Sequence, residues 1–185
     1  MVKMLQKKEL KELIELCKKG DKKAQQNIFD LKKDELFAVC KRYASNSIEA
    51  EDMFIEGFTK ILNSINTYAN GDFDAWTKRI VINTCINIYH KENKRKQNEI
   101  TTDEFYENEE IESPERFSNE DLYYCMEQLN NKQRTIFNLF VIDGYKTREI
   151  ATLLDTSDDT VRTTIHRTKI KLKQLLEDLE RKRNL

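Results

Sequence analysis

Proline and glycine are scarce in this chain, and their scarcity limits the folds that it can adopt. One proline and four glycines occur among 185 residues. Strand-rich domains need many tight turns, which these two residue types supply most readily. No stretch shows sustained alternation of apolar and polar residues either, and the composition therefore predicts an all-α protein.

Long apolar runs and paired cysteines are also lacking. No run approaches the roughly 20 apolar residues of a membrane-spanning helix, and the charged N-terminus lacks the apolar core of a signal peptide. The four cysteines are scattered without a CxxC pair, which disfavours a zinc site or a disulfide framework. These absences predict a cytoplasmic protein with reduced, mostly buried thiols and with no metal or other cofactor.

Catalytic motifs are a third absence. The two histidines, His90 and His166, stand apart from any cysteine or carboxylate cluster. The sequence contains no nucleophile–base pairing, no metal-ligand spacing and no glycine-rich phosphate loop. We therefore expect a binding protein with no covalent chemistry rather than an enzyme.

Charge is abundant but unevenly distributed, although the net charge is only −1. Residues 78–96 hold six basic residues and one acidic residue, a net of +5. Residues 98–121 hold ten acidic residues and one basic residue, a net of −9, and residues 146–173 return to +3. Two basic blocks separated by an acidic block indicate two nucleic-acid-binding regions that the average charge hides.

Apolar periodicity predicts a helical domain over residues 1–97. A turn-rich stretch, NTYANGD, separates its last two helices at 66–72. In chain order, the predicted helices are one that ends before Gly20, one capped by Asp21, one that starts after Ser47 and runs to about Ile65, and one from Phe73 to Lys96.

The next segment, residues 98–118, has almost no apolar periodicity and contains the only proline, Pro114. Its acidic composition predicts a flexible linker whose charges repel one another. A capping-box pattern at Ser118 and Asp121 then opens a second helical domain over residues 119–185. The expected architecture is thus two small helical domains joined by a flexible acidic linker.

The segment GYKTREIATLLDTSDDTVRTTIHRTKIKLK, residues 144–173, predicts a helix-turn-helix in the second domain. Thr147 is expected to cap a short helix and Ser157 a longer one, with a tight turn at 155–157. Ile170 falls on the outward side of the longer helix, where we expect the preceding helix pair or a partner. The stripe expected to pack inward consists of Val161, Ile165, Thr168 and Leu172.

The opposite side of the longer helix predicts contact with DNA. In the major groove, arginine bridges a guanine edge and threonine offers a hydroxyl or a methyl group. Lysines further along a helix suit phosphates, which position a protein without specifying sequence. The candidate DNA contacts are Arg162, Thr163, His166, Arg167, Lys169 and Lys173.

Four sequence segments, taken together and in this order, are highly specific for one protein family. They are GDKKAQQNIFDLKKDELFAVCKRY (20–43), AEDMFIEGFTKIL (50–62), GDFDAWTKRIVINTCINIYHKENKRK (71–96), and residues 129–173, from LNNKQRTIFNL through the helix-turn-helix. Over nearly its whole length the chain resembles the extracytoplasmic-function (ECF, group IV) RNA polymerase sigma factors. This resemblance implies a sigma region 2 like domain over 1–97 and a sigma region 4 like domain over 119–185.

The resemblance also implies roles for two helices of the first domain. In the family, the third helix docks on the clamp helices of core RNA polymerase, and the fourth helix captures a base flipped from the minus-ten element. The loop residues Tyr68, Asn70 and Phe73 are expected to supply walls of that base pocket. The matching polymerase-binding positions are Asp52, Ile55, Glu56, Thr59 and Asn63. The matching minus-ten positions are Trp76, Arg79 and Asn83, followed by the phosphate-binding Lys94, Arg95 and Lys96.

The implied function is promoter-specific initiation, with core polymerase and promoter DNA as partners. The second domain would read the minus-thirty-five duplex, and an anti-sigma factor is a further partner that small members of the family commonly have. Three alternatives remain: a free-standing regulator that uses only the helix-turn-helix, a helical adaptor that binds only proteins, and an enzyme. Run-off transcription with core polymerase separates the sigma-factor interpretation from these three alternatives.

Overall fold

Every element that the computed structural model describes is a helix, which confirms the all-α prediction for those residues. The structure describes residues 2–96 and 118–183, and within them the side chains of all residues except 2–8, 94–96 and 119. The predicted linker, 98–118, therefore lies outside the described residues apart from Ser118. Two compact units make up the chain, Met1–Ile88 and Tyr89–Leu185.

The helices that precede the linker follow the predicted bounds closely. Asp21 caps α2 by accepting the backbone N–H of Ala24 at 2.8 Å, and Asn46 caps α3 by accepting that of Glu49 at 2.9 Å. A short 3₁₀ turn, Ile65–Thr67, extends α3 into the loop that precedes α4. The α-helices are α1 (Val2–Lys18), α2 (Lys22–Tyr43), α3 (Ser47–Ser64) and α4 (Phe73–Lys96).

Interlocking apolar side chains from these helices form the core of the first unit. Ile28, Leu36 and Ile61 have no exposed surface, and burial of such side chains is the main favourable term in folding. A group of phenylalanines on α2 and α3 packs edge to face, with Phe29 and Phe58 5.1 Å apart between ring centres. Each of α3 and α4 packs one side against this core and leaves the other side exposed to solvent.

The second unit contains α5 (Asn119–Glu127), α6 (Asn131–Phe137), α7 (Thr147–Leu153) and α8 (Asp158–Arg183), with a π-helical segment at Asn138–Ile142. The predicted capping box is present, because Asp121 N–H donates to the Ser118 hydroxyl and Ser118 N–H donates to the Asp121 carboxylate, both at 3.2 Å. The core is formed around Cys125, Met126, Leu129, Phe137, Leu172 and Leu176.

The helix-turn-helix is present, with two corrections to the prediction. Thr147 is the first residue of α7 rather than its cap; the cap is Lys146, whose backbone N–H donates to the Glu149 carboxylate at 2.8 Å. Ile170 is buried, with 4% of its surface exposed, so it belongs to the packed side of α8 rather than to the outward side on which helical phase placed it. The cause is that α5, α6 and α7 all pack on α8, which makes the buried face broader than one stripe.

The rest of the helix-turn-helix follows the prediction. Ser157 caps α8 by accepting the backbone N–H of Thr160 at 3.0 Å. The predicted inward stripe is buried throughout: Val161, Ile165, Thr168 and Leu172. The thiols of Cys17, Cys40, Cys85 and Cys125 are free and buried, as predicted. Among the described residues, no helix combines the length and apolarity that crossing a membrane requires.

Candidate functional site

The loop before α4 and the first turns of α4 form an aromatic cluster, which consists of Tyr68, Phe73 and Trp76. The Tyr68 ring lies 5.2 Å from Phe73 and 5.3 Å from Trp76, and the Phe73 and Trp76 rings stack at 5.7 Å. Phe73 is buried, whereas Tyr68 and Trp76 are partly exposed. The cluster therefore offers aromatic surface to solvent from a rigid base.

Hydrogen bonds hold the backbone beside this cluster. The Tyr68 hydroxyl donates to the carbonyl of Gly71 at 2.7 Å, and Gly71 has a φ of 116°, a conformation that favours glycine. The Asp72 carboxylate accepts the backbone N–H groups of Asp74 and Ala75 at 2.9 and 3.1 Å. These contacts start α4 at a defined point and leave Asn70 exposed on the loop.

Trp76, Arg79 and Asn83 share one face of α4. Arg79 and Asn83 are exposed, since the helix buries Val81, Ile82, Cys85 and Ile86 on its other sides. The face thus runs from the aromatic cluster toward the basic end of α4. The side chains of Lys94, Arg95 and Lys96, predicted to hold phosphates, lie outside the described residues.

The predicted stripe on α3 faces solvent. Asp52, Thr59 and Asn63 are exposed, and Ile55 keeps 62% of its surface exposed. Glu56 is half-buried and pairs with Lys60 at 2.6 Å. Sequence reasoning missed Ile48, which is 75% exposed and lies two helical turns before Ile55; the seven-residue spacing of the two isoleucines was the available signal.

On α8, the predicted DNA contacts lie on the side opposite the buried stripe. Arg162, Thr163 and His166 are exposed, and the remaining three are partly buried: Arg167, Lys169 and Lys173. The Arg162 guanidinium pairs with Asp158 one turn earlier at 3.0 Å. Hydrogen bonds from Thr147 and Arg162 lower the pKa of the Asp158 carboxyl by more than its partial burial raises it. Asp158 therefore stays charged beside Arg162.

An open groove of about 440 Å³ adjoins this face of α8. Its lining adds two residues that sequence reasoning missed, Phe140 and Thr147, and the Lys169 ammonium lies 6.0 Å from the centre of the Phe140 ring. No local pattern pointed to Phe140, because its position depends on the π-helical segment. The lining residues are Phe140, Thr147, Arg162, Ile165, His166 and Lys169.

Sequence reasoning also missed Lys32, a lysine on the buried side of α2. Its side chain is 7% exposed and pairs with Glu35 at 2.9 Å and with Asp74 in the first turn of α4. Burial by itself lowers the pKa of Lys32, but the hydrogen bonds to Asp74 and Glu35 outweigh it, and the net pKa is raised. The signal in the sequence was a lysine midway between two core positions, Ile28 and Leu36.

Comparison with protein families matches both parts of the chain. The family model for sigma-70 region 2 matches residues 28–95, and the model for sigma-70 region 4 matches residues 119–172. The first match includes the α3 stripe and the aromatic cluster. The second includes the helix-turn-helix and ends at Leu172 within α8.

Curated proteins with similar sequences are sigma factors. The chain is 30% identical over 192 residues to the ECF RNA polymerase sigma factor SigW of Bacillus subtilis (strain 168), an alignment that covers 92% of this chain and 98% of the relative. It is 28% identical over 192 residues to the RNA polymerase sigma-H factor of Pseudomonas aeruginosa, covering 96% and 99% of the two chains.

A solved structure shares the fold. The sigma factor RpoE from Bartonella quintana, crystallised in complex with the anti-sigma factor NepR, matches with a TM-score of 0.50 and 19% sequence identity. The match covers 82% of this chain and 96% of that one.

Proposed function

This chain belongs to the ECF-type RNA polymerase sigma factors, and from that premise we propose how it selects a promoter. In the proposal, the α3 stripe binds core polymerase, the α4 face captures unpaired bases of the minus-ten element, and α8 reads the minus-thirty-five duplex. The proposed domains are residues 1–97 and 119–185, joined by the acidic linker 98–118, and we place the chain in group IV of the sigma factors.

The aromatic cluster carries the minus-ten assignment. Extruding a base from the stack costs a few kcal/mol, and stacking on an aromatic side chain returns about 1–3 kcal/mol per base. Trp76 presents a partly exposed indole whose position is held by Phe73 and Tyr68. Asn83 lies two turns further along the same face and adds amide donors and acceptors for a base edge.

The exposed face of α8 supports the minus-thirty-five assignment. Arg162, Thr163 and His166 lie on its first turns, where a recognition helix meets base edges in the major groove. Lys169 and Lys173 lie further along and suit phosphates. Each bidentate contact to a base contributes about 1–3 kcal/mol of discrimination.

The α3 stripe supports the polymerase assignment, because it combines acidic side chains with exposed apolar ones. A large exposed isoleucine is unfavourable in water but suits the apolar centre of a protein interface. Ile55 and Ile48 provide such a centre, and Asp52 provides charge at its edge. We propose an anti-sigma factor as a further partner that competes for the chain in the cytoplasm, where the polymerase acts.

Run-off transcription with purified core polymerase tests the function. The template is a pool with randomised minus-thirty-five and minus-ten elements, so no promoter sequence is assumed. We expect the chain to select a subset of templates that core polymerase alone leaves silent. Binding to duplex DNA without any effect on the polymerase would contradict the proposal and favour a free-standing regulator.

A charge placed on the α3 stripe tests the docking surface. Ile55→Asp is expected to weaken association with core polymerase by about tenfold or more, since a hot-spot residue contributes about 2 kcal/mol. Leu31→Asp is the matched control, because Leu31 on α2 is similarly exposed, 56% against 62% for Ile55. Equal effects of the two substitutions would reject the assignment of α3.

A further inference from the structure

Lys32 lies at a position of α2 where helical periodicity predicts a buried apolar residue. It lies one turn after Ile28 and one turn before Leu36, both of which are fully buried. Its own side chain is 7% exposed. A buried ammonium group is destabilising unless it is paired and hydrogen-bonded, so the position calls for carboxylate partners.

The two partners of Lys32 come from different helices. Glu35 lies on the same helix, three residues further along. Asp74 lies in the first turn of α4 and forms an ion pair with the Lys32 ammonium. The pair to Asp74 therefore ties the buried face of α2 to the start of α4.

Asp74 is also part of the backbone that carries the aromatic cluster. It directly follows Phe73 and lies two residues before Trp76, and its own N–H is held by the Asp72 carboxylate at 2.9 Å. Moving the first turn of α4 would move Phe73 and Trp76 together, since their rings stack at 5.7 Å. The Lys32–Asp74 pair thus connects α2 to the helical turn that carries the partly exposed indole.

We propose that Lys32 is a positioning residue for base capture, which acts through Asp74 by holding the start of α4 and the Trp76 ring in the capturing geometry. The proposal rests on the proposed minus-ten function of the α4 face. Lys32 itself does not touch the captured base. Its contribution is that the aromatic surface is already ordered when the base arrives, so that less binding free energy is lost in ordering it.

Two substitutions break the pair, and two others serve as controls. Lys32→Met removes the charge and fits an apolar site, and Asp74→Asn removes the other charge with little change of shape. Glu35→Gln removes the partner that does not belong to α4; its side chain is 48% exposed, against 55% for Asp74. Lys32→Arg keeps the charge and tests rescue by a conservative change.

The measurement is the lifetime of the open complex of the full chain with core polymerase. The template is the one that the unaltered holoenzyme selects from the randomised pool, with an abasic site placed in turn at each non-template position of the minus-ten element. We expect the unaltered chain to lose about tenfold in lifetime when the captured base is missing. Lys32→Met and Asp74→Asn should reduce that loss to about twofold or less, while Glu35→Gln and Lys32→Arg retain it.

The outcomes separate the role of Lys32 from a purely structural one and from the proposed function. The decisive quantity is the loss of lifetime at the abasic site in Lys32→Met and Asp74→Asn. If both variants keep the tenfold loss, Lys32 serves stability alone and the proposal is overturned. This holds even if they shorten all open-complex lifetimes equally or weaken association with core polymerase. If no abasic position affects the unaltered chain, base capture itself fails, and the role of Lys32 fails with it.

Discussion

At the scale of single residues, Gly57 shows how closely α3 approaches α4 in the first unit. A Cβ atom placed on Gly57 would lie 3.2 Å from a methyl carbon of Val81. Val81 itself is fully buried. A side chain at Gly57 would therefore press on Val81, whereas the helical backbone at this position is open to any residue.

We therefore predict that Gly57→Leu destabilises the first unit. Overpacking of a filled core costs about 1–3 kcal/mol. Urea unfolding followed by the fluorescence of Trp76, the only tryptophan, measures the free energy of unfolding. Thr59→Leu is the control on the same helix, because Thr59 is exposed, and it should change stability by no more than about 0.5 kcal/mol. An unchanged midpoint for Gly57→Leu would contradict the close approach.

Asp121 links the start of α5 to the end of α8 through a charge. Its carboxylate accepts the backbone N–H of Ser118 at 3.2 Å and pairs with Arg183 at 2.6 Å. The hydrogen bond from Arg183 is the main reason that the pKa of the Asp121 carboxyl is lowered. A lowered pKa in the folded state means that the charged form stabilises the fold.

The stabilisation by Asp121 should depend on pH in one direction. It is present above the unfolded-state pKa of about 3.9 and is lost as the pH falls through the lower folded-state value. Calorimetry of the unaltered chain and of Asp121→Asn should show a difference in Tm that is largest near neutral pH and shrinks toward about pH 3. Glu127→Gln, at the exposed end of the same helix, removes the same charge away from Arg183 and is the control. A difference that stays constant with pH would contradict the ion pair.

At the scale of elements, the surface of α8 that we propose binds DNA also contains a competitor for one of its arginines. Arg162 is expected to meet DNA, yet in the free chain it pairs with Asp158 at 3.0 Å. The two side chains lie one turn apart, so the helix itself holds them in contact. Binding of Arg162 to a base or phosphate requires this pair to open.

Asp158→Asn is therefore expected to raise the affinity for duplex DNA. The substitution releases Arg162 and removes a negative charge from the DNA-facing side, and we expect a gain of about threefold to tenfold. Fluorescence anisotropy with a minus-thirty-five duplex measures this affinity. The salt concentration is held fixed, because affinities for DNA depend strongly on it. Asp159→Asn is the matched control: Asp159 is the exposed neighbour in the same first turn of α8. If both variants gain equally, the loss of charge rather than the release of Arg162 is responsible.

At the scale of the whole molecule, the near-zero net charge results from opposing blocks. The acidic segment, residues 98–121, carries a net of −9, and the basic blocks at 78–96 and 146–173 carry +5 and +3. Non-specific DNA binding depends on the local field of such blocks, which acts over about 10 Å at moderate salt. We therefore expect the acidic segment to weaken the attraction of the free chain to arbitrary DNA.

Neutralising part of this segment should strengthen non-specific binding. Glu→Gln changes at 107, 109, 110 and 112 move the net charge from −1 to about +3. We expect the free chain to bind a duplex of random sequence several-fold more tightly, with a steeper dependence on salt. The same number of Glu→Gln changes in α1 and α2, at 9, 12, 15 and 35, provides a variant of equal net charge. An equal gain in that variant would show that the position of the acidic block does not matter.

Much of the architecture was accessible from local patterns. The bounds of α2, α3 and α4, the caps at Asp21, Ser118 and Ser157, and the buried stripe of α8 all follow from helical periodicity and capping chemistry. These signals are local, because a helix satisfies its own backbone and a cap acts within one turn. The exposed sides of α3 and α8 were accessible for the same reason, whereas the roles of the α3 residues follow from the resemblance to the sigma factors and stay predictions.

What the sequence by itself determined is therefore where most of the helices run and which stripe of α8 is buried. The tertiary structure alone decided which further side chains become buried, as at Ile170, which is buried on a helix against which three others pack. It also brought Lys32 on α2 against Asp74 on α4, although 41 positions separate them in the chain. The reason is that periodicity reports the environment of one helix at a time, whereas burial and ion pairing between helices depend on which neighbour packs there.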